Sequence, residues 1–146
     1  MKKIVLISIL SLFTYYLSAQ SKTLANQIET QKLSKQVAGL FSENKISKSF
    51  QILEQYWPLP KNEMEALQEK TIKYMNILET RFGKRLDVTK IKDEHISDIA
   101  LRETYIMRYT YSAIRIVFTY YRSENGWFIN SFKWDDSFTE EFVKTK

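Results

Sequence analysis

The apolar positions of this chain change period once, near residue 83. Before it they recur every three or four residues, as on one face of a helix. Leu33, Val37, Leu40 and Phe41 make a first stripe, which Ser42-Glu43-Asn44 interrupts. Ile46, Phe50, Leu53 and Trp57 make a second, closed by Trp57-Pro58-Leu59-Pro60 because a proline inside a helix loses a hydrogen bond and clashes with the preceding turn. Met64, Leu67, Thr71, Tyr74, Met75, Leu78 and Phe82 make the third and longest. Asn62 and Glu65 have the spacing of a capping box at its start, and Gly83 is placed to end it. Residues 20–30 are polar, with Leu24 and Ile28 out of phase, and read as a frayed lead-in to the first helix.

Beyond Gly83 the period falls to two, which puts successive side chains on opposite faces of a pleated strand. Residues 84–92 are a first strand, 92–98 a polar connection. In residues 101–111, Leu101, Tyr105, Met107, Tyr109 and Tyr111 share a face opposite Arg102, Thr104, Ile106, Arg108 and Thr110. Ile114, Ile116, Phe118 and Tyr120 share the next, opposite Arg115, Val117, Thr119 and Tyr121. Ser123-Glu124-Asn125-Gly126 carries the Asn-Gly hairpin signal. The last strand has Phe128, Phe132 and Trp134 on one side, Trp127 and Ile129 on the other; one short closing turn follows. Helices first and strands afterwards predict an α+β domain: three N-terminal helices on a curved four-stranded antiparallel meander, with the long helix on its concave side.

The N-terminus changes the picture of where this domain works. Lys2 and Lys3 precede an apolar run from Ile4 to Leu17, then Leu17-Ser18-Ala19. That order is the signature of a secretory signal peptide, and the run is shorter than the about 20 residues of a membrane span. Cleavage after Ala19 is expected, leaving 20–146 as one domain with no membrane span, periplasmic or secreted. There is no cysteine, so the core alone must hold the fold, and thiol chemistry is excluded. The formal charge is +5, two units of it from Lys2 and Lys3. No basic run follows them, which argues against a nucleic-acid partner.

Four segments carry a family resemblance: Arg81-Phe82-Gly83-Lys84 ending the long helix, the aromatic strand Arg102 to Tyr111, Ala113 to Tyr120, and Gly126-Trp127-Phe128-Ile129-Asn130-Ser131-Phe132. Over about 100 residues, from the second helix to Asp136, the chain resembles secreted members of the nuclear transport factor-like and ketosteroid-isomerase-like cone fold. The resemblance implies a helix and sheet enclosing a pocket. Catalytic members of that family carry an acidic base and a proton-donating pair there. No acid on the strand faces of this chain matches them, and likeness of fold does not convey activity.

Candidate chemistry is sparse. His95, the only histidine, lies in the charged stretch Lys92-Asp93-Glu94-His95 and reads as a surface loop residue. Asp135 and Asp136 read as the end of a strand. No nucleophile elbow or phosphate-cradling glycine loop is present, and neither a cofactor nor a metal site is expected. Arg108 and Arg115 fall in adjacent strands, where a tight turn brings them close, at a cost in energy unless an anion or acid lies between them. They either hold an anionic ligand, with Tyr109, Tyr111 and Tyr120 nearby, or lie outward in solvent; the second is the commoner fate of arginine. Tyr105, Tyr109, Tyr120 and Trp134, with Trp127, Phe128 and Phe132, either line an apolar pocket or form the core under the helix. The resulting expectation is an exported non-catalytic domain that binds a small apolar or anionic ligand, or an envelope protein. The alternatives are a cone-fold isomerase or hydrolase, and a structural homodimer.

Overall fold

A computed structural model describes residues 21–142; the signal-peptide reading of residues 1–19 falls outside them, as does Val143. The elements are α1 (Gln27–Ser42), α2 (Ile46–Leu53), α3 (Lys61–Phe82), β1 (Arg85–Ile96), β2 (Ala100–Tyr109), β3 (Ala113–Ser123), β4 (Gly126–Asp135) and a 3-10 turn, η1 (Phe138–Glu141). The strands form one antiparallel sheet in the order β1-β2-β3-β4, so this is an α+β fold with three helices packed on a curled four-stranded meander. Among the described residues no helix is long and apolar enough to cross a membrane.

Several boundaries differ from the sequence reading, each for a local reason. Residues 23–30 are ordered by specific bonds. Leu24 exchanges backbone hydrogen bonds with Trp127 of 2.9 and 2.8 Å. The Asn26 side chain accepts from the Glu29 amide, and the Glu29 carboxylate reaches back to the Ala25 amide at 2.6 Å. These contacts satisfy amides that a helix start leaves open, so α1 begins well before its apolar stripe. Helix α3 already runs through Asn62, since the Pro60 carbonyl accepts from Glu63 and Met64 and no side chain caps the end. Gly83 ends α3 with a φ of +82°, and a Cβ there would lie 2.9 Å from Thr110 Cβ. Strand β1 continues to Ile96, so His95 sits in a strand opposite Leu101, exposed on an edge.

The β3–β4 hairpin forms at the expected place, but Glu124 and Asn125 occupy its tip and the positive φ falls on Gly126. A Cβ on Gly126 would approach the Leu24 carbonyl to 2.8 Å. One irregularity reassigns a whole strand face. Between Thr119↔Ser131 and Tyr120↔Ile129 the β3–β4 register skips Asn130. An extra residue in one strand reverses the alternation beyond it. Trp127 and Ile129 are therefore buried on the same side as Phe132, rather than on opposite sides.

The core lies between the concave sheet face and the helices. Val37, Ala38, Phe41, Leu53, Met75, Met107, Ile114, Ile116, Phe118 and Tyr120 have no exposed surface. Phe132 is its hub, with ring centroids 5.3 Å from Phe41, 6.1 Å from Phe50, 6.5 Å from Trp57 and 5.1 Å from Phe118. The first three are edge-to-face and the fourth is tilted; such aromatic pairs add about 0.5–1.5 kcal/mol each beyond area burial.

Candidate functional site

A half-open groove of about 650 Å³ lies between α3 and the C-terminal half of β4. Its floor is Phe50, Trp57 and Phe132. The helix supplies one wall through Leu67, Thr71, Tyr74, Ile77 and Leu78; Trp134 supplies the other. Leu67 and Tyr74 of the α3 stripe, with the neighbouring Ile77, form the outer part of this wall. Met64, Met75 and Phe82 are buried, whereas Leu67, Tyr74 and Ile77 remain 37%, 44% and 50% exposed. Apolar surface left open beside a sheet is a feature of binding clefts, and the volume lies within the range of small-molecule sites. Trp134 is oriented by its own contacts: its indole N–H donates to Thr71 Oγ1 at 3.2 Å, and its ring lies 5.9 Å from Tyr74.

The charges around the groove differ in their commitments. Asp135 accepts two bonds from Arg115, at 3.2 and 2.9 Å, and one from the Ser137 amide. Lys70, Arg81, Lys133 and Asp136 also line the groove, and none has an oppositely charged side chain within 4.0 Å among the described residues.

Of the residues singled out from sequence, the groove takes Phe132, Trp134, Asp135 and Asp136. Tyr105, Tyr109 and Tyr120 are buried in the core. Tyr109 donates to the Met75 sulfur and packs against Phe82; Tyr105 packs against Phe118. Arg108 and Arg115 are two pairs apart along the β2–β3 ladder, with Ile106 opposite Arg115 and Ala113 opposite Arg108. Each has its own acid. Arg108 pairs with Asp87 in the open. Arg115, half-buried on the outer sheet face, holds Asp135, Glu140 at 3.0 Å and Glu141 at 2.7 Å. Those carboxylates push the guanidinium pKa up, Asp135 most, and Arg115 with Lys92 draws Glu141 below the ordinary carboxylate value. Arg115 thus ties η1 over the outer face.

One chemically distinctive residue escaped the sequence reading. Glu103 has no exposed surface, and its two carboxylate oxygens lack hydrogen-bond partners among the described residues. Burial pushes its pKa up; the nearby Ser34 hydroxyl and the Lys90 ammonium, 3.7 Å away, oppose this without cancelling it, while Asp93 reinforces it. Lys90 is held more closely by Asp93, at 2.7 Å. Beside this carboxyl, Tyr120 donates to the Thr30 carbonyl at 3.2 Å and shares a 2.7 Å hydrogen bond with Ser34. Burial also pushes the Tyr105 and Tyr120 hydroxyl pKa values up. The signal was present: Glu103 occupies the alternating position between Leu101 and Tyr105, so the period that buries those residues buries the acid too. Arg85, also buried, reaches back to the Met75 carbonyl at 3.5 Å and to Glu79 at 3.3 Å, fastening β1 to α3.

Among the described residues no three His, Asp or Glu side chains are grouped to hold a metal ion. Compared with protein-family models, curated proteins and solved structures, the chain finds no significant match.

Proposed function

We propose that this chain is an exported, non-catalytic binding domain that holds a small apolar molecule in the groove between α3 and β4. The observation that carries this reading is the groove itself: about 650 Å³, floored by Phe50, Trp57 and Phe132 and walled by exposed apolar residues of a rigid helix. Burying 100 Å² of ligand there is worth about 2.5 kcal/mol before association costs. Glu103, the acid with the raised pKa, does not line the groove, so binding is favoured over acid–base catalysis at this site. The segment from Lys2 to Ala19 supports export, and the order of helices before a curled meander supports kinship with the nuclear transport factor-like cone.

The test uses N-phenyl-1-naphthylamine, a neutral apolar fluorophore. The domain is expected to bind it with one-to-one stoichiometry and energy transfer from Trp57 and Trp134. Ile77→Glu, a substitution at a half-exposed position, is expected to weaken binding by at least tenfold. Absence of saturable binding, or binding indifferent to Ile77→Glu, contradicts the reading.

A further inference from the structure

Five of the six arginines of this chain have a carboxylate within 4.0 Å: Arg85 with Glu79, Arg102 with Glu94, Arg108 with Asp87, Arg115 with Asp135, Arg122 with Asp98. The sixth, Arg81, has none among the described residues, and it is the one arginine that lines the groove. Its guanidinium carbon lies 5.2 Å from the centre of the Phe82 ring, a cation–π contact that limits how far it swings into solvent. We infer that Arg81 is the anchor for an anionic end group, so that the groove's ligand is an amphiphile: an apolar body with a carboxylate, sulfonate or phosphate at one end. The inference rests on the groove being a ligand site and specifies which ligands it takes.

The surrounding charges agree with that choice. Asp135, one of the two groove carboxylates, is already neutralised by Arg115. Asp136 is the one groove carboxylate without a partner, against three uncommitted cations in Lys70, Arg81 and Lys133. Lys70 and Arg81 are eleven residues apart on α3, about three turns and roughly 16 Å, and so share a face. Thr71, Tyr74 and Leu78 lie between them on the groove wall, giving an apolar bed bracketed by positive charge. A guanidinium is suited to the anchoring role because its planar fork meets an oxyanion with two parallel hydrogen bonds, which an ammonium does not.

The experiment titrates the whole domain at pH 7.5 with decanoate, decan-1-ol and decyltrimethylammonium, each below its micellar range, reading tryptophan fluorescence. Decanoate is expected to bind about tenfold tighter than decanol, and the ammonium weakest, from the about 1.5 kcal/mol typical of a charged hydrogen bond. Arg81→Gln is expected to erase the preference for decanoate and leave decanol unchanged; Lys70→Gln is expected to change it less. Equal binding of decanoate and decanol, or a decanoate preference that survives Arg81→Gln, overturns the inference while leaving an apolar groove in place. Failure of all three to bind a folded domain overturns the groove reading itself.

Discussion

The concave face of one sheet is treated in two ways by the helices laid on it. Helix α1 lies close against β1, β2 and β3, and it meets them with small or polar residues, Thr30, Ser34, Val37 and Ala38, all without exposed surface. Helix α3 meets the sheet through longer side chains, Met75, Leu78 and Phe82, and stands further off. The side chains at a contact set the spacing of the packed elements. The close half is sealed and encloses polar groups, Glu103 and the Ser34–Tyr120–Thr30 chain. The stand-off half is open and apolar, with charge only at its rim. The buried carboxyl lies in the closed half, and the open groove is lined mostly by apolar side chains.

Phe132 belongs to both halves, since it touches Phe41 of α1 and also floors the groove. Phe132→Ala is the substitution that breaks the comparison most completely. It is expected to cost about 3–5 kcal/mol in urea unfolding, because a buried ring is removed and its cavity does not collapse.

Glu103→Gln sharpens the comparison from the sealed side. A carboxyl with a raised folded pKa keeps its proton to higher pH in the folded state than in the unfolded chain. Its stabilising contribution is complete below the unfolded value and is lost as pH rises through the folded one. Glu103→Gln is therefore expected to flatten the fall of melting temperature with pH above about 4.3, the usual glutamate value, and to gain about 1–3 kcal/mol at pH 8. A steeper fall in the variant contradicts the assignment.

Arg115→Ala tests the outer face, where charge is partnered rather than stranded. It leaves Asp135 and Glu140 without a cation and Glu141 with Lys92 alone, at 3.4 Å. Hydrogen exchange of residues 138–142 is expected to accelerate, at a global cost of about 1–2 kcal/mol. In the parent protein the lowered Glu141 pKa has the opposite sign to that of Glu103: its contribution is present above the unfolded value and is lost as pH falls through the folded one. Thr71→Ala is expected to have the smallest effect, about 1 kcal/mol, with a shift in Trp134 emission as the indole loses its acceptor.

The sequence carried the fold further than the site. The change of period at Gly83, the alternation of β2 and β3 and the third helix are local signals, and the structure follows them. The skip at Asn130 was not legible, because a bulge is a backbone choice that leaves the residue types on either side unremarkable. Charge partners were equally hidden: Arg115 finds Glu141 across 26 positions, through η1, a segment with no strong pattern of its own. The groove escaped for a further reason. An apolar stripe on α3 says which face turns inward, but whether Leu67, Tyr74 and Ile77 meet the sheet or overhang it depends on how far the helix stands away.

The most direct test of an open half and a sealed half is an amide and indole nitrogen–proton correlation spectrum recorded as decanoate is added. The account predicts that the Trp134 indole and the amides of Tyr74, Ile77 and Arg81 move together and saturate, while Ser34, Glu103 and Tyr120 stay in place. Saturating shifts centred on Ser34, Glu103 and Tyr120, with the α3 wall unmoved, would contradict it.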